Sequence, residues 1–179
     1  MDVSLFDQRP IIVALAGSNG AGKTTFYHSH LSQTGLRYIN ADDLAAELKI
    51  DAYAAAELAA QLRLAFIAKR ESFIFETVLS DPIGDKVRLL QAVAADGYQV
   101  VLIFIQIADS ETSIQRVSMR FAQGGHDVPD DKLRSRFSRT RQNLERAIVS
   151  LPHVIVFDNS DLASPYQPAA VYQNGKRLD

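Results

Sequence analysis

The chain has 179 residues, of which 47% are apolar and 22% are charged, and its formal net charge is −2. These values are typical of a soluble globular protein, and the length favours a single domain over residues 1–179. The balanced charge argues against nucleic-acid or membrane partners, and the absence of cysteine excludes disulfides and cysteine nucleophiles. The longest strongly apolar stretch, Val100 to Ile107, is too short to span a bilayer, so we expect a cytoplasmic protein.

Short apolar runs alternate with helical patterns along the chain. The runs predict five strands that are buried in one sheet, at 11–16, 36–39, 72–75, 99–107 and 154–157. The segments between them predict helices at 23–33, at 41–70 with a break near Asp51, at 81–96, at 110–122 and at 130–150. Asp81-Pro82 is a typical helix start, and Asn174-Gly175 predicts a tight hairpin near the end of the chain. Strands that are separated by helices indicate an α/β fold with a mainly parallel sheet.

A glycine-rich segment, Gly17-Ser18-Asn19-Gly20-Ala21-Gly22-Lys23-Thr24, follows the first predicted strand. It fits the P-loop pattern, and a strand before it and a helix after it are the context that this motif requires. Its glycines let backbone N–H groups converge on phosphate oxygens. Lys23 would neutralise the β- and γ-phosphates, the Thr24 hydroxyl would bind Mg²⁺, and Thr25 would be a further phosphate donor. We therefore predict ATP and Mg²⁺ as cofactors.

The motif and the element order predict the three-layer fold of P-loop NTPases, with a mainly parallel five-stranded sheet, helices on both faces and a C-terminal β-hairpin. The defining motifs of other P-loop classes are missing. The sequence contains neither the Asn-Lys-x-Asp of GTPases nor the Leu-Ser-Gly-Gly-Gln of transporter ATPases. Small kinases, which need an acceptor base near the P-loop and arginines in a lid, remain the best fit.

Two acidic residues are predicted at the ligand edge of the sheet, where the strands end. Asp42 comes just after the second strand and is the candidate base, since Asp43 is explained as an acid that serves a helix capped by Asn40. Glu76 ends the third strand and is followed by Thr77, so both are candidates for binding substrate or Mg²⁺-bound water. Surface acids at helix starts and strand ends remain the alternative reading.

Arginines cluster around a glycine-rich segment in the second half of the chain. Arg116 and Arg120 share a helix face beside the Gly-Gly-His-Asp-Val-Pro segment at 124–129. Paired guanidinium groups next to a loop suit a lid, here at about residues 116–141, that closes over a γ-phosphate. The alternative is a solvated cationic helix face.

Together these motifs resemble the zeta-toxin-like family of P-loop kinases, in its short, chromosomal branch. The resemblance is carried by 17–24, Asn40-Ala41-Asp42, Phe75-Glu76-Thr77, 113–116, 124–129 and Phe157-Asp158-Asn159-Ser160. It implies an ATP-dependent kinase whose acceptor, in the characterised toxins, is a hydroxyl of UDP-N-acetylglucosamine. It leaves an antitoxin partner open and does not imply toxicity.

The resemblance also implies roles for individual residues. Lys23 and Thr24 would bind phosphate and Mg²⁺, and Asp42 would be the acceptor base. Glu76 would be a substrate-site acid and Arg116 a γ-phosphate clamp. Arg120 substitutes for a second lid arginine, because His126 falls near the place of that residue. The alternatives are another metabolite or nucleotide kinase, and an ATP-dependent switch or binding protein without transfer activity.

Overall fold

The computed structural model describes residues 3–122 and 128–178 of the chain, and the Gly-Gly-His-Asp segment of the predicted lid, at 124–127, lies outside them. The strands are β1 (Ile11–Ala16), β2 (Arg37–Ile39), β3 (Phe73–Thr77), β4 (Gln99–Gln106), β5 (His153–Asp158), β6 (Gln167–Gln173) and β7 (Lys176–Arg177). The helices are α1 (Lys23–Phe26), α2 (Ala41–Leu48), α3 (Ala52–Ala68), α4 (Asp85–Ala95), α5 (Ser110–Ala122) and α6 (Asp130–Ser150). A 3-10 turn (Val3–Phe6) precedes β1, and a π-helical turn (Tyr27–Leu31) and a 3-10 turn (Ser32–Thr34) follow α1.

All of these strands belong to one sheet, in the order β2-β3-β1-β4-β5-β6-β7. The first five in this order are parallel, which confirms the predicted parallel sheet. The predicted C-terminal hairpin is also confirmed, but β6 pairs antiparallel with β5, so the sheet has seven strands instead of five. The hairpin turn holds Asn174 and Gly175 at φ values of 49° and 78°, the left-handed conformation that a tight turn requires.

Helices cover both faces of the sheet, as predicted. On β1, Ile12 and Ala14 contribute to one hydrophobic cluster, which also contains residues of α3, α4 and α6. Val13 and Leu15 contribute to a second cluster, together with Phe26 of α1. Because alternate residues of a strand face opposite sides, a continuous apolar run is what a sheet covered on both sides needs.

The helical segments on either side of β2 are each divided into shorter pieces. The first segment is α-helical only to Phe26, after which the backbone widens into the π-helical turn. The predicted break in the second segment is confirmed, because Asp51 caps α3 by accepting from the N–H groups of Tyr53 and Ala54. In the ranges 3–122 and 128–178, no helix combines the length and the apolar character needed to cross a membrane.

The predicted helix start at Asp81-Pro82 was wrong. The helix α4 begins at Asp85, after Gly84 in a left-handed conformation with φ of 77°. The Asp81 carboxylate accepts a hydrogen bond from the Asp85 N–H at 2.5 Å, so Asp81 does act on a helix terminus, but from four residues away. Local sequence signals identified the acid correctly and its helical position incorrectly.

Side chains of α6 explain why residues 78–81 are not helical. Thr140 donates to the Val78 carbonyl oxygen at 2.9 Å. Asn143, which is fully buried, donates to the carbonyl oxygens of Leu79 at 2.8 Å and of Asp81 at 2.9 Å. These hydrogen bonds hold the segment in a non-helical conformation, in which Leu79 is left-handed with φ of 59°. The helix α6 therefore holds the segment that directly follows β3.

Replacing Asn143 by alanine should lower the free energy of unfolding by about 2–3 kcal/mol, because two main-chain carbonyl groups lose their buried donor. Urea denaturation measures this change. The exposed neighbour Gln142 is the control, and its replacement by alanine should cost less than about 0.5 kcal/mol. Equal losses for the two variants would show that the contacts to residues 79 and 81 contribute nothing.

Candidate active site

The predicted P-loop lies between β1 and α1 at the carboxyl edge of the sheet. Its surroundings require glycine at two positions. A Cβ atom on Gly17 would overlap the Ile105 carbonyl oxygen of β4, and one on Gly22 would lie 2.7 Å from Asn159 Nδ2. The absence of these side chains lets the loop pack directly against β4 and against the segment after β5.

Side chains from outside the P-loop donate to three of its carbonyl oxygens at 2.9 Å or less, and we call this set the carbonyl collar. The pairs are Ser113 Oγ to Asn19 O at 2.7 Å, Asn159 Nδ2 to Ala21 O at 2.8 Å and Tyr166 Oη to Gly22 O at 2.9 Å. In a trans peptide, the N–H of the next residue points away from the paired carbonyl. The collar therefore favours N–H groups that point into the loop, which is the arrangement that binds phosphate oxygens. The Ser18 carbonyl oxygen is paired inside the loop, with Lys23 Nζ at 3.0 Å.

Lys23 is a nearly buried cation, with 7% of its side chain exposed. Its Nζ lies 3.7 Å from Glu76 Oε1. Burial lowers the pKa of Lys23, and the nearby positive charge of Arg120 adds to this effect. The negative charges of Glu76 and Asp42 oppose it. Because a buried cation is stabilised by anions, Lys23 is placed to bind phosphate oxygens at the centre of the P-loop.

Glu76 is the carboxylate that connects β3 to the P-loop. The parallel register pairs Leu15 of β1 with Glu76, which brings the carboxylate beside the residues that follow β1. Glu76 Oε2 accepts hydrogen bonds from Thr24 Oγ1 at 3.0 Å and from Tyr38 Oη at 2.5 Å. Asn40 Nδ2 lies 3.4 Å from the same oxygen. One carboxylate therefore receives donors from α1, from Tyr38 within β2 and from Asn40 directly after it.

The Thr24 hydroxyl and the Glu76 carboxylate fit a Mg²⁺ site. Both are hard oxygen donors, and they lie within hydrogen-bond distance of each other beside Lys23. Mg²⁺ in phosphate-binding sites takes few protein ligands and completes its shell with phosphate oxygens and water. In the described part of the chain no three or more His, Cys, Asp or Glu side chains form a group that could hold a metal ion.

Sequence reasoning missed Tyr38. Its ring stacks on the ring of Tyr27, with centroids 3.6 Å apart and planes at 5°. Burial and the charge of Glu76 raise the pKa of Tyr38, so its phenol stays protonated and donates to that carboxylate. The predicted cap Asn40 is confirmed, since its Oδ1 accepts from the Asp42 N–H at 2.9 Å. Tyr38 and Asn40 are two residues apart, and this spacing on a strand puts side chains on one face.

The two acids at the start of α2 both interact electrostatically with the site. Asp42 is exposed, and its charge acts on Lys23. Partial burial and the charge of Glu76 raise the pKa of Asp43, while His28 opposes this change. Asp43 therefore interacts electrostatically with Glu76 and Asp42. Its interpretation from the sequence, as an acid that serves only the helix terminus, did not include this interaction.

The two predicted lid arginines differ in their surroundings. Arg116 donates to the carbonyl oxygens of Asn159 at 2.9 Å and Ser160 at 3.0 Å, and it lies 3.5 Å from that of Gly20. It bridges the P-loop to the segment after β5. Arg120 is exposed, and its positive charge acts on Lys23.

Other candidate residues make local contacts. The Thr77 hydroxyl accepts from the Leu79 N–H at 3.1 Å and so supports the turn after β3. Arg134 forms a bidentate pair with Glu111 of α5, and Arg139 donates to the Ser80 carbonyl oxygen at 2.7 Å. Both arginines, which lie within the predicted lid at about residues 116–141, are therefore explained by contacts within the fold.

A cavity of about 330 Å³ opens beside the P-loop. It lies at the ends of β4 and β5, under α6, and its polar lining includes Ser18, Gln106, Thr140, Arg141 and Asp158. The chain leaves β1 toward β2 and leaves β4 toward β5, in opposite directions along the sheet. The topological switch point, where open α/β sheets bind ligands, therefore lies between β1 and β4. The cavity extends from there, at Ser18, toward β5 and α6.

The family model described as Zeta toxin matches residues 38–170. The chain belongs to the Zeta toxin family. This match confirms the resemblance stated from the sequence motifs. A search of the curated proteins gave no match.

Solved structures share the fold. A chain in the crystal structure of AvrRxo1-ORF1 with ORF2 and ATP is 19% identical, with a TM-score of 0.73, and the match covers 98% of this chain and 63% of that one. The PezAT chromosomal toxin–antitoxin system of Streptococcus pneumoniae matches at 17% identity and a TM-score of 0.63, over 84% and 69%. Shikimate kinase from Acinetobacter baumannii matches at 16% and 0.51, over 78% and 83%. The predicted P-loop kinase fold is confirmed.

Replacing Glu76 by alanine should lower the free energy of unfolding by about 3 kcal/mol, because Lys23 would be left buried without its nearest carboxylate. Urea denaturation measures the loss. Glu57 on α3 is an exposed control whose replacement by alanine should cost less than about 0.5 kcal/mol. Two small, equal changes would contradict a structural pairing of Glu76 with Lys23.

Proposed function

We propose that the protein transfers the γ-phosphoryl group of ATP to a hydroxyl of a small molecule. The observation that supports this most is the position of Lys23, which is buried in the P-loop 3.7 Å from Glu76 and within the electrostatic influence of Asp42 and Arg120. A cation with carboxylates on one side and a turn of N–H groups on the other suits phosphate oxygens next to an acceptor. Family membership agrees with this assignment.

The proposed reaction forms a bond between the acceptor oxygen and the γ-phosphorus and breaks the bond from that phosphorus to the oxygen that stays with ADP. The acceptor proton goes to Asp42, as general base. Lys23 and Arg120 stabilise the charge on the transferring oxygens. Mg²⁺, held by Thr24 and Glu76, would neutralise charge on the phosphates when bound.

Arg120 takes the clamp role in this proposal ahead of Arg116. Arg116 was the first candidate, but its guanidinium is bound to main-chain carbonyl groups after β5. To reach a γ-phosphate it would have to give up both hydrogen bonds. Arg120 already acts on Lys23 and is exposed, so it is free to turn toward the phosphate.

For the acceptor we propose a hydroxyl of an amino-sugar nucleotide such as UDP-N-acetylglucosamine. Asp42, at the start of α2, is suited to hold a sugar hydroxyl, and Glu76 at the end of β3 would reach the acceptor through a Mg²⁺-bound water. A metabolite kinase of another kind is the second candidate, since shikimate kinase shares the fold.

A protein partner also belongs to the proposal, because similar chains come from a complex with ORF2 and from a toxin–antitoxin system. We also propose that the reaction takes place in the cytoplasm, where ATP is available as the donor.

An acceptor panel tests the function. ADP release should rise when UDP-N-acetylglucosamine is added to the protein with magnesium ATP, and a phosphorylated product should appear by mass spectrometry. Release that is stimulated by shikimate or a nucleoside instead would support another metabolite kinase. ATP binding without stimulated release by any acceptor would favour a nucleotide-dependent switch and contradict the proposal.

Asp42→Asn should bind ATP with a dissociation constant within about twofold of the wild type but transfer phosphate at least about 100-fold more slowly, because the acceptor proton loses its base. Calorimetry and product formation measure the two quantities. Asp43→Asn, on the same helical turn, is the matched control and should keep most of the activity. If Asp43→Asn alone abolishes transfer, Asp42 is not the base.

Arg120→Ala should reduce kcat about 100-fold with little change in unfolding temperature, because it removes a charge from the transferring phosphoryl group. Arg116→Ala should lower the free energy of unfolding by about 1–2 kcal/mol and weaken ATP binding, because it releases the segment after β5. The reverse pattern would assign the clamp to Arg116.

A further inference from the structure

Tyr166, which no motif singles out, binds the P-loop from the segment between β5 and β6. Its Oη donates to the Gly22 carbonyl oxygen at 2.9 Å. The same oxygen accepts from the Phe26 N–H of α1 at 2.9 Å. Gly22 directly precedes the two residues assigned to phosphate and Mg²⁺. A side chain 144 residues away in sequence therefore supplies a second donor to the carbonyl group at the start of α1.

The backbone at Tyr166 is in a conformation that a tyrosine rarely adopts. Its φ is 55°, in the left-handed region that disfavours residues with a side chain. Such strain persists where the surroundings determine the position of the residue, and it is common at ligand sites. The ring packs edge-on against Phe26 of α1, with centroids 5.2 Å apart and planes at 73°.

Gly22 provides the space that the phenol occupies. A Cβ atom on Gly22 would lie 2.8 Å from Tyr166 Oη. Burial raises the pKa of Tyr166, while Thr25 and Arg116 oppose this change, so the hydroxyl keeps the proton that it donates. Gly22, with φ of 90°, and Tyr166 both have left-handed backbone conformations. The missing Cβ atom of Gly22 leaves the space in which the Tyr166 hydroxyl lies.

We propose that Tyr166 is a positioning residue for the phosphate chain of the nucleotide. As a second donor to the Gly22 carbonyl, beside the Phe26 N–H, it fixes the peptide group whose N–H belongs to Lys23. Its ring also packs against Phe26 in the first turn of α1. The proposal rests on the proposed function only in that the P-loop binds a phosphate chain. It predicts an effect on phosphate binding that does not depend on the base or the acceptor.

Tyr166→Phe keeps the ring and removes only the hydroxyl. We expect the dissociation constants of magnesium tripolyphosphate and of magnesium ATP to rise by the same factor, about fivefold, which is the usual effect of one lost hydrogen bond. Tyr172→Phe is the control: it makes the same chemical change in a half-buried tyrosine of β6 that packs against the other core cluster. It should leave both constants unchanged. Calorimetry measures binding, and the unfolding temperature with and without tripolyphosphate confirms that each variant is folded.

Equal weakening of both ligands by Tyr166→Phe, with the control unchanged, supports the proposal. Wild-type affinity in Tyr166→Phe overturns it, and so does a loss for ATP alone, which would place the effect at the nucleoside. If the wild-type protein binds neither ligand, the proposed nucleotide function fails together with this inference. If the wild-type protein binds both ligands and Tyr166→Phe binds them with the same affinity, the nucleotide function stands and the positioning role of Tyr166 is wrong.

Discussion

The site depends on keeping the carbonyl groups of the P-loop turned outward. A glycine-rich loop has no intrinsic preference for the conformation that collects N–H groups around an anion. In this protein the orientation is supported by hydrogen bonds to the Asn19, Ala21 and Gly22 carbonyl oxygens. All three donors come from parts of the chain about 90 to 140 residues away, so the anion-binding geometry is a property of the whole fold.

The buried charge of Lys23 is the second constraint, and the register of the sheet meets it. The parallel pairing of β1 with β3 puts Leu15 opposite Glu76. The Glu76 carboxylate therefore lies near Lys23, the buried cation that it stabilises. Tyr38 and Thr24 then occupy the remaining oxygen of that carboxylate. The result is a compact network in which each polar group has a partner before any phosphate binds, which limits the cost of burying it.

Sequence patterns predicted the parts of the structure that are set by local chemistry. The continuous apolar run at 11–16, the helices at 110–122 and 130–150, and the Asn40 cap all match the structure. The prediction that was wrong concerns a segment whose conformation is set by tertiary contacts. Asp81-Pro82 has a helix-start signature, but α6 binds the neighbouring carbonyl groups and delays the helix to Asp85.

The candidate site divides in the same way. The P-loop residues and Glu76 could be recognised because motif spacing and strand ends are visible along the chain. Tyr38 and Tyr166 could not, because each acts through a partner far away in sequence: Glu76 is 38 residues from Tyr38, and Gly22 is 144 residues from Tyr166. The split between Arg116 and Arg120 was also invisible, since both share a helix face and only their contacts separate them.

The two helices that extend into the predicted lid, α5 and α6, contact different parts of this site. From α5, Ser113 binds the P-loop carbonyl of Asn19. From α6, Thr140 and Asn143 bind carbonyl groups of residues 78, 79 and 81, in the segment that follows β3. The ion pair between Arg134 and Glu111 then joins the two helices to each other, although its exposure makes it weak. A displacement of α5 would therefore change the orientation of the phosphate-binding N–H groups. A displacement of α6 would change the position of Glu76, the carboxylate that faces Lys23.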